Sequence, residues 1–453
     1  MRYIPNASSE REAMLESMGV SNIAELFRGI PENLLLNRPL DIPPAQSEVE
    51  LIATFKQLAG ENRDPESYAS FLGAGVYDHI RPLIIDTLIS RSEFYTSYTP
   101  YQPEINQGTV HSIFEFQTMI CQLTGMDVAN ASMYDGSTAL AEAMMMAVRV
   151  TGRRKVVCAG TVHPEYLQVI KTYAYNSGIT VETIGWGDTG TVEMDKLAVD
   201  KETAAVIVQS PNFFGSVEDL SQLATAAHAA GALLAVCVTE AISLGILKTP
   251  GESGADIVVG EGQSLGLAPN FGGPFVGFFA AREKYQRQMP GRLVGQAFDK
   301  DGNRAFTITM ATREQHIRRE KATSNICTNE ALCALVASVF LATLGRRGMQ
   351  ELAIRNAQKT AYALSEICKV DGYSRTFSAP VFNEFAIRTP IPAKQVVDLL
   401  LPHNILAGLP LSHYYPDRTH DLLVCVTENT SRAAIDQLVS ALASLSQKAA
   451  AAS

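Results

Sequence analysis

Three stretches of this sequence carry residue types that could do chemistry. The first gathers Arg313, His316, Arg318, Arg319 and Lys321, and runs on into Thr323, Ser324 and Asn325. It concentrates positive charge and directional hydrogen-bonders in a chain whose net charge is −10. It also lacks the apolar period of a helix, which favours a loop that docks on a partner or meets an anionic group. A solvated basic loop, partly neutralised by Glu314 and Glu320, is the plainer alternative. The second stretch is an aromatic loop in which Tyr95, Tyr98 and Tyr101 alternate with Gln102, Glu104 and Gln107. Rings with polar tips suit a binding-site wall and a packed interface equally well. The third is 254–274, where an apolar strand over 256–259 leads through a glycine turn at 260–262 to Gln263 and then to Phe271-Gly-Gly-Pro274. That stretch holds no lysine. The lone pair of an amide nitrogen is delocalised into its carbonyl, so Gln263 cannot condense with an aldehyde as a lysine would.

These stretches need a scaffold, and the middle of the chain supplies one. Apolar runs over 155–159, 180–184, 204–209, 233–238 and 256–259 read as strands, with helices over 164–176 and 217–230 between them. Gly178 and Gly231 fall where helix C-caps belong. This is the rhythm of a mostly parallel sheet, and 275–280 is short enough to be a neighbouring strand. Ligands of such sheets sit at the carboxyl ends of the strands, where His163, Asn212, Glu240 and Gln263 fall. The turn at 134–138 opens a long helix and has the form of an anion cup, although Asp135 and Ser137 serve as ordinary helix caps.

The flanks differ from the middle. Residues 1–70 read as a helical arm, with capping boxes at Ser9/Glu12 and Ser47/Glu50 and prolines 31, 39, 43 and 44 between them. Such an arm buries little by itself and is expected to wrap the body or a partner. The large α/β domain is placed at 71–328. A long apolar helix over 330–344 and an α+β unit then form a small domain over 329–453.

With 453 residues and 46% hydrophobic content the chain can build more than one core. The negative charge argues against nucleic acid as a partner. The N-terminus lacks a signal-peptide pattern, and no apolar run approaches the ~18 residues of a membrane span, so a cytoplasmic location is expected and no membrane partner. Seven scattered cysteines form no C-x-x-C pair, and most read as small buried hydrophobes.

The third stretch resembles the lysine region of the pyridoxal-phosphate enzymes of aspartate-aminotransferase type (fold type I), with Gln263 where those enzymes carry the Schiff-base lysine. Three longer segments narrow the likeness: 98–108 (YTPYQPEINQG), 134–142 (YDGSTALAE) and 312–328 (TREQHIRREKATSNICT). They resemble the glycine decarboxylase P-protein family of the glycine cleavage system, and in particular the first chain, subunit 1 or α, of its two-chain bacterial form. The resemblance implies a fold-type-I architecture without the lysine, and pyridoxal phosphate held by a second (β) subunit rather than by this chain. It implies an α2β2 assembly that acts on glycine and hands an aminomethyl group to a lipoylated H-protein, releasing CO2. This chain alone would be inactive. The tyrosine loop and the basic stretch would complete the shared site or form the interface, with no metal involved. Two further possibilities are a stand-alone pyridoxal-phosphate enzyme using Lys321 and a purely non-catalytic scaffold subunit.

Overall fold

The computed structural model describes residues 6–270, 272–310, 313–326 and 328–452, with side chains described through Gln447. Phe271, Thr312 and Cys327, which belong to the segments singled out above, lie outside the described residues. The chain divides into two compact units at Arg63/Asp64.

The first unit holds helices α1 (Ser8–Ser17) and α2 (Glu48–Ala59) joined by 3-10 turns, and none of its described residues is buried. Its second helix starts as expected: Ser47 and Glu50 exchange hydrogen bonds in a capping box. The first starts differently. Glu10, not Glu12, receives the amide of residue 7, so the helix is capped two residues earlier than Ser9 would set it. The two patterns overlap in sequence, and local backbone geometry picks between them.

In the second unit, β1 (Ala69–Ser70) leads to the short helices α3 (Ile84–Ile89) and α4 (Ser92–Tyr95), then to α5 (Gln107–Thr124). Gly125 ends α5 in the left-handed region at φ 70°, which a side chain would resist. After β2 (Val128–Ala129) come α6 (Gly136–Thr151), β3 (Lys155–Ala159), α7 (Pro164–Tyr175), β4 (Thr180–Ile184), β5 (Thr203–Gln209), α8 (Leu220–Ala229), β6 (Leu233–Val238), β7 (Ile257–Glu261) and β8 (Gly277–Ala281). Among the described residues these strands form a seven-stranded sheet in the order β2-β8-β7-β6-β5-β3-β4. Strands β3 to β7 run parallel, while β8 and β2 are antiparallel. The central strands β5 and β6 are buried along their whole length, as a sheet covered on both faces requires, and the edge strand β4 is the one with exposed positions. The hairpin β9 (Leu293–Phe298) and β10 (Arg304–Thr309) follows, and then the one-turn helix α9 (Gln315–Arg318) inside the basic stretch.

Helix α10 (Ala331–Ile367) joins two hydrophobic cores. Phe340 and Ala353 pack in the core of the large sheet, and Ala363 and Ile367 in that of the C-terminal part. Gly345 breaks its helical dihedrals, so the first half ends where the sequence suggests. By length and composition alone α10 could cross a membrane, which corrects the statement that no segment approaches that length. Its apolar residues instead serve the two cores. The C-terminal sheet, β11 (Ser374–Arg375), β12 (Glu384–Arg388), β14 (Leu409–Pro410) and β15 (Asp421–Cys425), is antiparallel in the order β11-β12-β15-β14. Helices α11 (Ala393–Leu400) and α12 (Arg432–Ala452) complete that part, and β13 (Ile405–Leu406) pairs parallel with β1.

Candidate functional site

The carboxyl ends of β6 and β7 face the start of α6, the place where an α/β sheet of this kind offers a ligand its seat. Here the seat is taken by the chain's own side chains. Glu261 ends β7, so the strand runs two residues into what the sequence suggested was a turn. Its carboxylate accepts the amide of Gly136 at 2.9 Å, the first residue of α6, and the amides of Gln263 and Val276 at 3.1 and 3.2 Å. An internal carboxylate thus fills the anion cup of the helix N-terminus. Burial pushes Glu261 up to about 8, against the pull of those amides. A Cβ on Gly136 would lie 2.6 Å from the Tyr166 hydroxyl, so only glycine allows this close approach of helix and strand. Asp135 caps the helix through the amide of Thr138 at 2.8 Å, which bears out the capping reading of that turn.

Gln263 is buried and fully used. Its amide accepts from the backbone N–H of Tyr77 at 2.8 Å and donates to the carbonyls of Tyr77 and Leu267 at 3.0 and 2.7 Å. A side-chain amide can pair with a peptide group in both directions, whereas an ammonium offers donors alone. At the end of β6, Glu240 accepts from His79 at 2.8 Å and from Asn383 at 2.9 Å. His79 also meets Glu428 at 2.8 Å. Burial depresses His79, but Glu240 and Glu428 overcome it and hold the imidazole charged up to about 10. Tyr77 donates to Glu384 at 2.7 Å, and burial raises that carboxyl to about 7. His163 has one ring face on Tyr166 and its edge on Phe213, while its Nε2 meets the Ala74 carbonyl at 2.9 Å. It is a satisfied structural histidine. A phosphate-bearing pyridine cofactor does not fit these residues: a carboxylate holds its phosphate cup and an amide stands at its lysine.

The tyrosine loop and the basic stretch, more than 200 residues apart in sequence, are brought together by a residue that the sequence did not single out. Arg292 is buried, forms an ion pair with Glu314 at 3.4 Å, and lies over the Tyr101 ring at 5.4 Å. Its guanidinium is also 3.5 Å from the hydroxyls of Thr99 and Tyr101. No local pattern reveals such a contact; one arginine between a hairpin and a loop gives no periodic signal. Gln107 clamps the same hairpin, exchanging hydrogen bonds of 2.9 Å with both backbone groups of Phe306. Tyr95 and Tyr98 are exposed, and their rings make no hydrogen bond or ring contact among the described residues. Gln102 and Glu104 are exposed beside them.

Within the basic stretch the residues separate by role. Arg313 points inward and donates to the carbonyls of Met289, Gly291 and Met310, bracing the loop. His316 lies 3.6 Å from Glu314 and is exposed, as are Arg319 and Lys321. Ser324 lies beside the buried Glu142 and accepts from the amide of Ile326, while Thr323 bonds through its amide to the Arg313 carbonyl. Asn325 is exposed.

With this geometry in hand, the comparisons with known proteins are specific. The family model of the glycine cleavage system P-protein matches residues 1–442. The probable glycine dehydrogenase (decarboxylating) subunit 1 of Koribacter versatilis is 51% identical over 439 residues, covering 96% of this chain and 98% of its own. The protein of the same description from Solibacter usitatus is 53% identical over 445 residues, covering 97% of each. A crystal structure of glycine decarboxylase (P-protein) of the glycine cleavage system, in inhibitor-bound form, superposes with a TM-score of 0.90 at 39% identity, covering 98% of this chain and all of that one. The sphingosine-1-phosphate lyase of Burkholderia pseudomallei shares the fold, with a TM-score of 0.68 at 15% identity over 93% of this chain and 96% of its own. The architecture is thus that of the fold-type-I pyridoxal-phosphate transferases, and the chain belongs to the glycine cleavage system P-protein family.

Proposed function

We propose that this chain is the α subunit of a two-chain glycine dehydrogenase (decarboxylating), and that pyridoxal phosphate is held by the β subunit alone. The observation that carries the assignment is Glu261, which fills the phosphate cup with a carboxylate of the chain's own, two residues before Gln263. Bound in the partner, the cofactor would supply the electron sink for the carbanion that glycine leaves on losing CO2. The aminomethyl group would then pass to the lipoyl arm of the H-protein.

In this reading the chain contributes surface rather than chemistry. Tyr95, Tyr98 and Tyr101 present exposed rings beside Ile105, and the arm over 6–63 exposes Leu26, Phe27, Leu34 and Phe55. Apolar surface of this extent belongs against a partner. Arg319 and Lys321 supply the exposed charge, while Arg292, Arg313 and Glu314 hold the loop that presents it. An α2β2 assembly in the cytoplasm fits this picture. A stand-alone enzyme using Lys321 is disfavoured, because that lysine is exposed on a loop and lacks an enclosed seat for a cofactor.

The test is to purify the two subunits apart and assay glycine–bicarbonate exchange for each alone and for the mixture. Exchange by the mixture only is the expected result. Turnover by this chain alone would reverse the assignment.

A further inference from the structure

Beyond Gly136, helix α6 borders a cavity of about 370 Å3 that the basic loop closes from the other side. Glu142, Met145 and Arg149 line it, three or four residues apart and therefore on one face of the helix. Arg319, Ser324 and Tyr173 line the opposite walls. The polar groups here are left unfinished. Glu142 is 3% exposed and lies beside Ser324, and its Oε2 has no hydrogen-bond partner. Arg149 donates from Nη2 to the Gln288 carbonyl at 3.0 Å, while its Nε is also buried and without a partner. Glu142 and Arg149 form no ion pair with each other among the described residues, and each leaves one buried polar atom without a partner. At its rim Arg319 stands at φ 52° and ψ −122°, a strained conformation for a non-glycine residue. Strain of this kind persists where the surroundings impose it, and it clusters at binding sites.

The charges select the occupant. An anion alone would be repelled by the carboxylates of Glu142 and Glu320, and a cation alone by the guanidiniums of Arg149 and Arg319. The volume is about ten times the share of one water in the liquid. We propose that this cavity binds a small α-amino acid as its zwitterion, the ammonium on Glu142 and the carboxylate on Arg149 and Arg319. Glycine is the smallest such ligand. Occupancy would tie the loop over 313–326 to α6 and so order the surface that carries Arg319 and Lys321. The inference does not depend on the subunit assignment, because binding is read on this chain alone.

The full chain, without a partner, would be titrated calorimetrically with glycine, L-alanine and L-serine, and with acetate and methylammonium as single-charge probes. Saturable binding of at least one amino acid is expected, with neither single-charge probe bound. Glu142→Gln and Arg319→Ala should each weaken it by about tenfold or more. Amide exchange over 313–326 should slow on saturation. Absence of saturable binding by all three amino acids would overturn the proposal, as would equal binding of acetate or methylammonium. Should Glu142→Gln fail to fold, Arg319→Ala decides, since its side chain is exposed; unchanged affinity in that variant counts against the site.

Discussion

Two regions along helix α6 treat their polar groups in opposite ways. At its start the chain's own groups answer one another: Glu261 takes three amides, and Gln263 zips onto the backbone of Tyr77. Further along, Glu142 and Arg149 line a cavity and each keeps an atom unanswered, under a loop whose Arg319 lines the same cavity and whose Lys321 is exposed. A buried donor or acceptor without a partner costs about 1–3 kcal/mol, so the second arrangement persists where something from outside completes it. The first has closed on itself and become structure. The position a cofactor would take is therefore the less promising place to look for what this chain binds.

Breaking the closed region should have the largest effect. Glu261→Ala leaves three buried amides without an acceptor and should destabilise the chain by about 2–4 kcal/mol in denaturant unfolding. The same residue predicts a pH dependence. Burial raises it from 4.5 to about 8, so the folded chain keeps a proton that the unfolded chain releases between those values. Its contribution to stability is then greatest at low pH and falls as pH rises from about 4.5 to about 8. Glu261→Gln should flatten that part of the stability profile, and an unchanged slope would show that the carboxyl is not held protonated.

The open region should respond through the partner instead. Arg319→Ala should weaken heterodimer formation or turnover by more than about tenfold while the isolated chain stays folded, because a desolvated charged contact is worth about 2–5 kcal/mol. Heterodimer affinity and turnover at saturating partner, measured separately, distinguish docking from catalysis. Tyr98→Ala should cost about 1–2 kcal/mol of heterodimer affinity if the ring is an interface anchor, and nothing if it stays solvated. The smallest effect is expected for His316→Ala, which should move the stability of the isolated chain by no more than about 0.5 kcal/mol.

How much of this could be read in advance follows from the range of the forces involved. The strands were legible because a sheet covered on both faces needs unbroken apolar runs, as in 203–209 and 233–238. Gln263 stood out because its neighbours Gly272, Gly273 and Pro274 fix the frame in which a lysine is missed. Glu261 did not, because glycines on both sides of it look like a turn until the strand pairing with β8 is known. Arg292 and the Glu142–Arg149 cavity were invisible, since each depends on contacts between segments more than 100 residues apart. The tyrosine loop kept both of its readings: Tyr101 packs against Arg292, and Tyr98 stands free.

The central claim, that this chain has closed its own cofactor seat and leaves the chemistry to a partner, has one direct measurement. The two subunits are mixed with pyridoxal phosphate, reduced with borohydride, and mapped by mass analysis. The expected result is a pyridoxyl-lysine on the partner and none on this chain, including in the Gln263→Lys variant, whose phosphate cup still holds Glu261. A pyridoxyl adduct on Lys321, or on any other lysine of this chain in stoichiometric amount, would contradict it.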